Sequence, residues 1–84
     1  MARHPLWSDA AKAELRAIDR ETALRLLKAL ARFLQTDQGD VKPLKGSDPT
    51  LFRLRVGGWR IMYEERGSKT VEVMRVRKRG EAYR

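Results

Sequence analysis

Arginine recurs in this chain at a spacing that gathers charge. Arg53 and Arg55 alternate with Phe52, Leu54 and Val56, and Arg60 follows a Gly57-Gly58 pair. Two strands joined by a tight turn at that pair would bring all three guanidinium groups into one patch. A guanidinium is a rigid planar fork of donors whose charge does not titrate away near neutral pH, so it suits phosphate recognition. Around a scissile phosphodiester, such a cluster would stabilise the dianionic transition state by electrostatics arranged in advance. Arg79 and Tyr83 stand in the closing segment, from which they can fold back onto the patch. A tyrosine there would add a ring for base stacking and a hydroxyl donor. By spacing alone, a phosphate-binding face and a solvated sheet surface are equally good readings, and catalysis is the narrower case.

Other chemistries are poorly served. There is no paired-carboxylate site, no Ser-His-Asp set and no glycine-rich phosphate loop; Gly57-Gly58 lacks the surroundings of a nucleotide-binding motif and reads as a turn. With no cysteine and His4 as the sole histidine, neither a disulfide nor a thiolate or histidine zinc site can form. No metal and no cofactor are expected, and His4 reads as a terminal surface residue. Charge is unevenly placed. Residues 1–42 carry 8 basic and 6 acidic groups (net +2), residues 43–84 carry 11 and 5 (net +6), and the whole chain is net +8. A basic half joined to a nearly balanced half implies a polyanionic partner, nucleic acid first and acidic protein second. No stretch approaches the roughly 18 consecutive apolar residues of a membrane span. The opening Met1-Ala2-Arg3-His4-Pro5-Leu6-Trp7 lacks the apolar region of a signal peptide, so a cytoplasmic protein with no membrane partner is expected.

The patch needs a scaffold, and the rest of the sequence supplies one. Leu6-Trp7 closes a short apolar segment, an edge strand weakened by Pro5. Ser8 and Asp9 offer oxygens to cap a helix, and Ala11, Leu15 and Ile18 follow at helical spacing, which predicts a helix from about Asp9 to Ile18. A second helix is predicted from about Arg20 to Gln35. Its stripe is Leu24, Leu27, Ala31 and Leu34, widened by Leu26, Leu30 and Phe33. The short link at Asp19 makes the pair an antiparallel hairpin. Val41 to Thr50 reads as a loop anchored by Leu44, after which the period changes to 2. Strands are predicted for Phe52–Val56, Trp59–Glu64 and Thr70–Val76, with a second turn at Arg66–Lys69. In the last strand Val71 and Val73 alternate, but Met74 and Val76 break the phase, leaving a bulge or a two-sided core open. The fold class is therefore α+β: one domain, 1–84, with an N-terminal helical hairpin on one face of a small antiparallel β-sheet and a short N-terminal edge strand. The helices bury one sheet face and leave the other, carrying Arg53, Arg55 and Arg60, for chemistry. A domain this small is marginal alone, and a bound partner would stabilise it.

The string Leu44-Lys45-Gly46 followed by Phe52-Arg53-Leu54-Arg55-Val56-Gly57-Gly58-Trp59-Arg60-Ile61-Met62-Tyr63 resembles the RelE/ParE toxin superfamily of type II toxin–antitoxin systems. The ending Val73–Arg84 is similar to that family's closing strand and arginine-x-x-x-tyrosine-arginine tail, and Trp7–Leu15 to its first strand and helix. What the resemblance implies is a RelE-like fold and a ribosome-dependent endoribonuclease, an mRNA interferase. Such a toxin cuts mRNA in the A site by attack of a 2′-hydroxyl, leaving a 2′,3′-cyclic phosphate. On that likeness Arg60 and Arg79 would stabilise the phosphate and the leaving 5′-oxygen. Arg55, beside Arg53, would help activate the 2′-hydroxyl, and Tyr83 would orient or stack the nucleotide. Lys42, Lys45, Trp59, Arg77 and Lys78 are candidate RNA contacts, although Trp59 serves equally as an aromatic beside a turn and the lysines as solvated loop residues. The implied partners are a cognate antitoxin, mRNA and the ribosome.

The sequence departs from the family pattern in three ways. Arginines stand where the best-known members have lysines, and arginine is a poor general base. Arg77-Lys78 replaces a glycine-histidine pair. No glutamate is placed as a base; Glu64, Glu65 and Glu81 read as solvated charges. The alternatives are the ParE branch, which poisons DNA gyrase, and a noncatalytic RNA- or protein-binding module.

Overall fold

The computed structural model describes residues 3–46 and 50–78. Ser8 leaves the extended β1 (His4–Trp7) and caps α1 (Asp9–Arg16), its hydroxyl accepting the Ala11 N–H at 3.1 Å. Asp19 then caps α2 (Arg20–Thr36) by accepting the Thr22 N–H at 2.9 Å. That hydrogen bond holds the exposed Asp19 carboxyl below its ordinary pKa. Helix α2 ends where Asp37 takes a left-handed conformation, φ 59°. The strands β2 (Asp40–Pro43), β3 (Phe52–Val56), β4 (Trp59–Arg66) and β5 (Thr70–Lys78) complete a sheet of order β1-β5-β4-β3-β2. No helix among the described residues is long and apolar enough to cross a membrane.

The α+β arrangement expected from the sequence is present, with three corrections. Pairing is antiparallel except at β1, which runs parallel to β5. Part of the expected 41–50 loop is the edge strand β2, paired to β3. Pro43 and the polar run hid its alternation, but an edge position tolerates a proline because the missing N–H faces no neighbour. Helix α2 is rotated from the expected stripe: Leu26, Leu30, Phe33 and Leu34 are buried, while Leu24 (46% exposed) and Leu27 (37%) face outward. Both stripes satisfy the helical period, and the sheet decides between them. Phe33 meets the Tyr63 ring at 5.6 Å, with Leu54, Ile61, Val71 and Val73 beside it in the core.

In β5 the structure decides between the two alternatives the sequence left open, in favour of a bulge. Met62 stands opposite Arg75 and Tyr63 opposite Val73, so Met74 is an extra residue, a β-bulge. The bulge resets the phase. Val71 and Val73 before it and Val76 after it all enter the core, and Arg75 and Arg77 are turned to the opposite face. Ser8 secures the bulge: its N–H donates to the Val73 carbonyl at 3.0 Å and its hydroxyl to the Met74 carbonyl at 2.9 Å.

Candidate functional site

The sheet face away from the helices is built in rows. Across β2, β3, β4 and β5, one row is Asp40, Arg55, Arg60 and Arg77, and the next is Lys42, Arg53, Met62 and Arg75. Neighbouring strands lie about 4.8 Å apart, so Arg55, Arg60 and Arg77 span roughly 10 Å. The turn between β3 and β4 is tight because Gly57 takes φ 58°, which a residue with a Cβ rarely adopts.

The middle of this face is withdrawn from solvent, while Asp40, Lys42 and Arg55 at its side are exposed. Arg53 is 7% exposed and Arg60 9%, with Met62 buried beside them. A guanidinium keeps its charge even when desolvated, and a buried charge raises the strength of its interaction with any anion brought close. Among the described residues, no carboxylate forms an ion pair with Arg53 or Arg55.

The carboxylates of the sheet's other end are engaged with each other's neighbours. Arg66 reaches Glu72 at 2.6 Å and Glu64 at 3.7 Å, and Glu65 accepts from Arg3 at 2.7 Å. Glu64 and Glu65 are thus ion-paired rather than merely solvated. Tyr63 faces the core, stacked on Phe52 at 5.5 Å, and burial pushes its hydroxyl up to about 12. It supplies no titrating group near neutral pH.

Of the residues singled out in the sequence, the structure brings together Arg53, Arg55, Arg60, Arg77 and Lys42 on this face. Lys45 lies exposed in the turn after β2. Trp59 and Lys78 are paired with each other on the helix side, where Trp59 packs against the core and the Lys78 ammonium lies 5.6 Å from its ring centroid. His4 is exposed in β1. Arg79, Glu81 and Tyr83 lie outside the described residues.

Two residues escaped the sequence reading. Arg75 joins the arginine face, and Glu14 of α1 holds both Arg75 and Arg77, at 3.2 Å and 2.5 Å. The phase break at Met74 was the available signal for Arg75, since a bulge there turns it outward. Glu14 stands three positions from the fully buried Ala11, which puts it on the rim of the helix face that meets the sheet.

A face of fixed guanidinium groups can bind a phosphodiester and stabilise charge developing on it. Residues 6–83 match the family model described as the ParE toxin of the type II toxin–antitoxin system, parDE. Among solved structures, a chain of the RelBE2 toxin–antitoxin complex of Mycobacterium tuberculosis aligns with TM-score 0.80 at 20% identity, covering 94% of this chain and 100% of that one. A chain of the RelE–RelB complex of Pyrococcus horikoshii gives 0.75 at 20% identity, covering 95% and 98%. A doubly arginine-substituted RelE of E. coli in the free state gives 0.66 at 23% identity, covering 98% and 87%. At these identities the likeness is one of fold. No curated protein sequence matches the chain.

Proposed function

This chain belongs to the ParE toxin family of type II toxin–antitoxin systems, and from that premise we propose that it is a cytoplasmic mRNA interferase, a metal-independent endoribonuclease that cuts mRNA in the ribosomal A site. The observation that carries this reading is the row Arg55, Arg60 and Arg77, backed by the buried Arg53. Arg60, at the centre of the row, binds the scissile phosphate. Arg55 lies on one side of it, near the attacking 2′-hydroxyl, and Arg53 adds positive potential beneath. By the family resemblance, Arg79 stabilises the leaving 5′-oxygen and Tyr83 stacks the nucleotide. An arginine rarely accepts a proton, so the rate rests on electrostatic stabilisation and on the ribosome's positioning of the mRNA.

The proposed partner is a cognate antitoxin whose acidic or amphipathic segment covers the basic face. Supporting it are the RelE–RelB and RelBE2 complexes among the structures of like fold. Mapping mRNA ends after incubation with programmed ribosomes tests the activity: cuts confined to the A site, with cyclic phosphate ends, are expected. The family model is named for ParE, which favours a second reading, inhibition of DNA gyrase. No cleavage, together with blocked supercoiling in a parallel gyrase assay, would establish that reading instead.

A further inference from the structure

Strand β1 pairs only with the first part of β5, Thr70 to Val73, so from Arg75 onward β5 is an open edge. Helix α1 lies along that edge, and one side chain closes it. The Glu14 carboxylate accepts the Val76 N–H at 2.8 Å through Oε1. Its Oε2 accepts from Arg77 Nε at 2.5 Å, and from Arg75 Nε and Nη2 at 3.2 Å each. The backbone bond fixes where the carboxylate sits, and Ser8 fixes α1 to the bulge that turns both arginines outward.

Among the described residues, Glu14 is the one carboxylate paired with these two side chains. Arg77 stands opposite Arg60, whose charge repels it, and Arg75 stands opposite the uncharged Met62. An arginine loses much rotamer freedom when ordered, so an unpaired Arg77 would swing away from the row. Glu14 engages Arg77 through Nε alone, and the terminal nitrogens of Arg77 have no carboxylate partner among the described residues. A carboxylate that binds the inner nitrogen leaves the outer pair as donors for a second anion.

We propose that Glu14 is a positioning residue of the arginine face, holding Arg75 and Arg77 in place so that the terminal nitrogens of Arg77 bind an RNA phosphate. The proposal rests on the ribonuclease reading above, and charge alone predicts the opposite of what it requires. Removing a negative charge beside a basic face strengthens binding of RNA. Loosening two arginines that must be in place when the phosphate reacts slows the chemical step.

Glu14→Gln separates the two, because its amide oxygen still accepts the Val76 N–H while the charge that orders the arginines is gone. Single-turnover cleavage on programmed ribosomes is expected to slow by about tenfold, with KM little changed and binding of a short RNA oligonucleotide no weaker. Glu14→Asp, which keeps the charge, recovers part of the rate. Cleavage by Glu14→Gln at or above the wild-type rate overturns the proposal, and so does a rate loss matched by an equal loss of RNA binding. Failure of the wild-type chain to cut would instead sink the ribonuclease reading. The positioning claim is then decided by NMR of the arginine Nε–H groups. Exchange-protected Arg75 and Arg77 signals that vanish in Glu14→Gln support it, and identical spectra of the two proteins refute it.

Discussion

Arg55 and Arg60 stand directly opposite each other across the β3–β4 hairpin, with Arg77 opposite Arg60 on the next strand. Like charges at a directly paired position destabilise a sheet, by a few tenths of a kcal/mol up to about 1 kcal/mol. A sheet built for stability alone would place an acid at one of these positions. Asp40 faces Arg55 from β2 and offsets part of this repulsion, so Arg55→Gln is expected to raise stability by only a few tenths of a kcal/mol in urea unfolding at low salt. The gain should shrink at high salt, because the Debye length falls to about 3 Å at 1 M. A destabilised Arg55→Gln would show that Arg55 serves the fold, and would remove the argument that the row is kept for function.

How far the sequence revealed this face depended on where its period was unbroken. Arg53, Arg55 and Arg60 were legible because clean alternation and a Gly57-Gly58 turn assign faces without reference to the rest of the chain. Arg75 was not, since the Met74 bulge shifts the phase and is held by Ser8, 66 residues away. The outward rotation of Leu24 and Leu27 was hidden for a related reason: helical spacing allowed two apolar stripes, and only the sheet's Tyr63 and Leu54 choose between them. Glu14 was invisible as a ligand of Arg77, 63 residues distant, because a helical glutamate is ordinarily solvated.

The Ser8 hydroxyl both accepts from Ala11 and donates to Met74. Ser8→Ala removes a helix cap and a bond to the bulge together, and a loss of about 1–2 kcal/mol is expected in urea or thermal unfolding. Deleting Met74 is a harsher version of the same test. Without the extra residue, Arg75 and Arg77 would be turned into the core, and no cooperative unfolding transition should remain. A Met74 deletion that melts like wild type would show that the bulge does not set the faces.

A Cβ on Gly39 would lie 2.8 Å from Leu54 Cδ1, closer than two carbons approach. Leu54 is buried, so the clash cannot be relieved into solvent. Gly39→Ala is expected to cost about 1–2 kcal/mol, with part of the loss recovered in the double variant Gly39→Ala/Leu54→Val. Purely additive effects in that cycle would mean that the two side chains do not meet.

Burial raises the Tyr63 hydroxyl from 10.0 to about 12. Below the unfolded value both states hold the proton, and the stabilising contribution is complete. Between 10 and 12 the unfolded chain releases its proton while the folded one keeps it, so stability falls as pH rises through that window. Tyr63→Phe retains the ring contacts with Phe33 and Phe52 and has no proton to lose. The stability of wild type relative to Tyr63→Phe should therefore fall steadily across this alkaline window in urea unfolding. Parallel pH profiles would show that the hydroxyl titrates alike in both states.

Arg60 is flanked by Arg55 and Arg77 in its row and is largely buried. If the face acted only as a reservoir of positive charge, Arg60→Lys would be nearly silent, since the ammonium preserves the charge. If the planar fork must meet the phosphate in a fixed geometry, Arg60→Lys loses most of what Arg60→Ala loses. On the ribonuclease reading, the single-turnover cleavage rate is expected to fall on the order of a hundredfold for both variants, as for removal of one donor aimed at a developing charge. Binding of a short RNA should weaken more for Arg60→Ala than for Arg60→Lys, because binding follows charge. Thermal melting of both proteins checks that the sheet survives. A folded Arg60→Lys that cuts at the wild-type rate would mean that charge alone suffices and that the geometry of the row has no catalytic part.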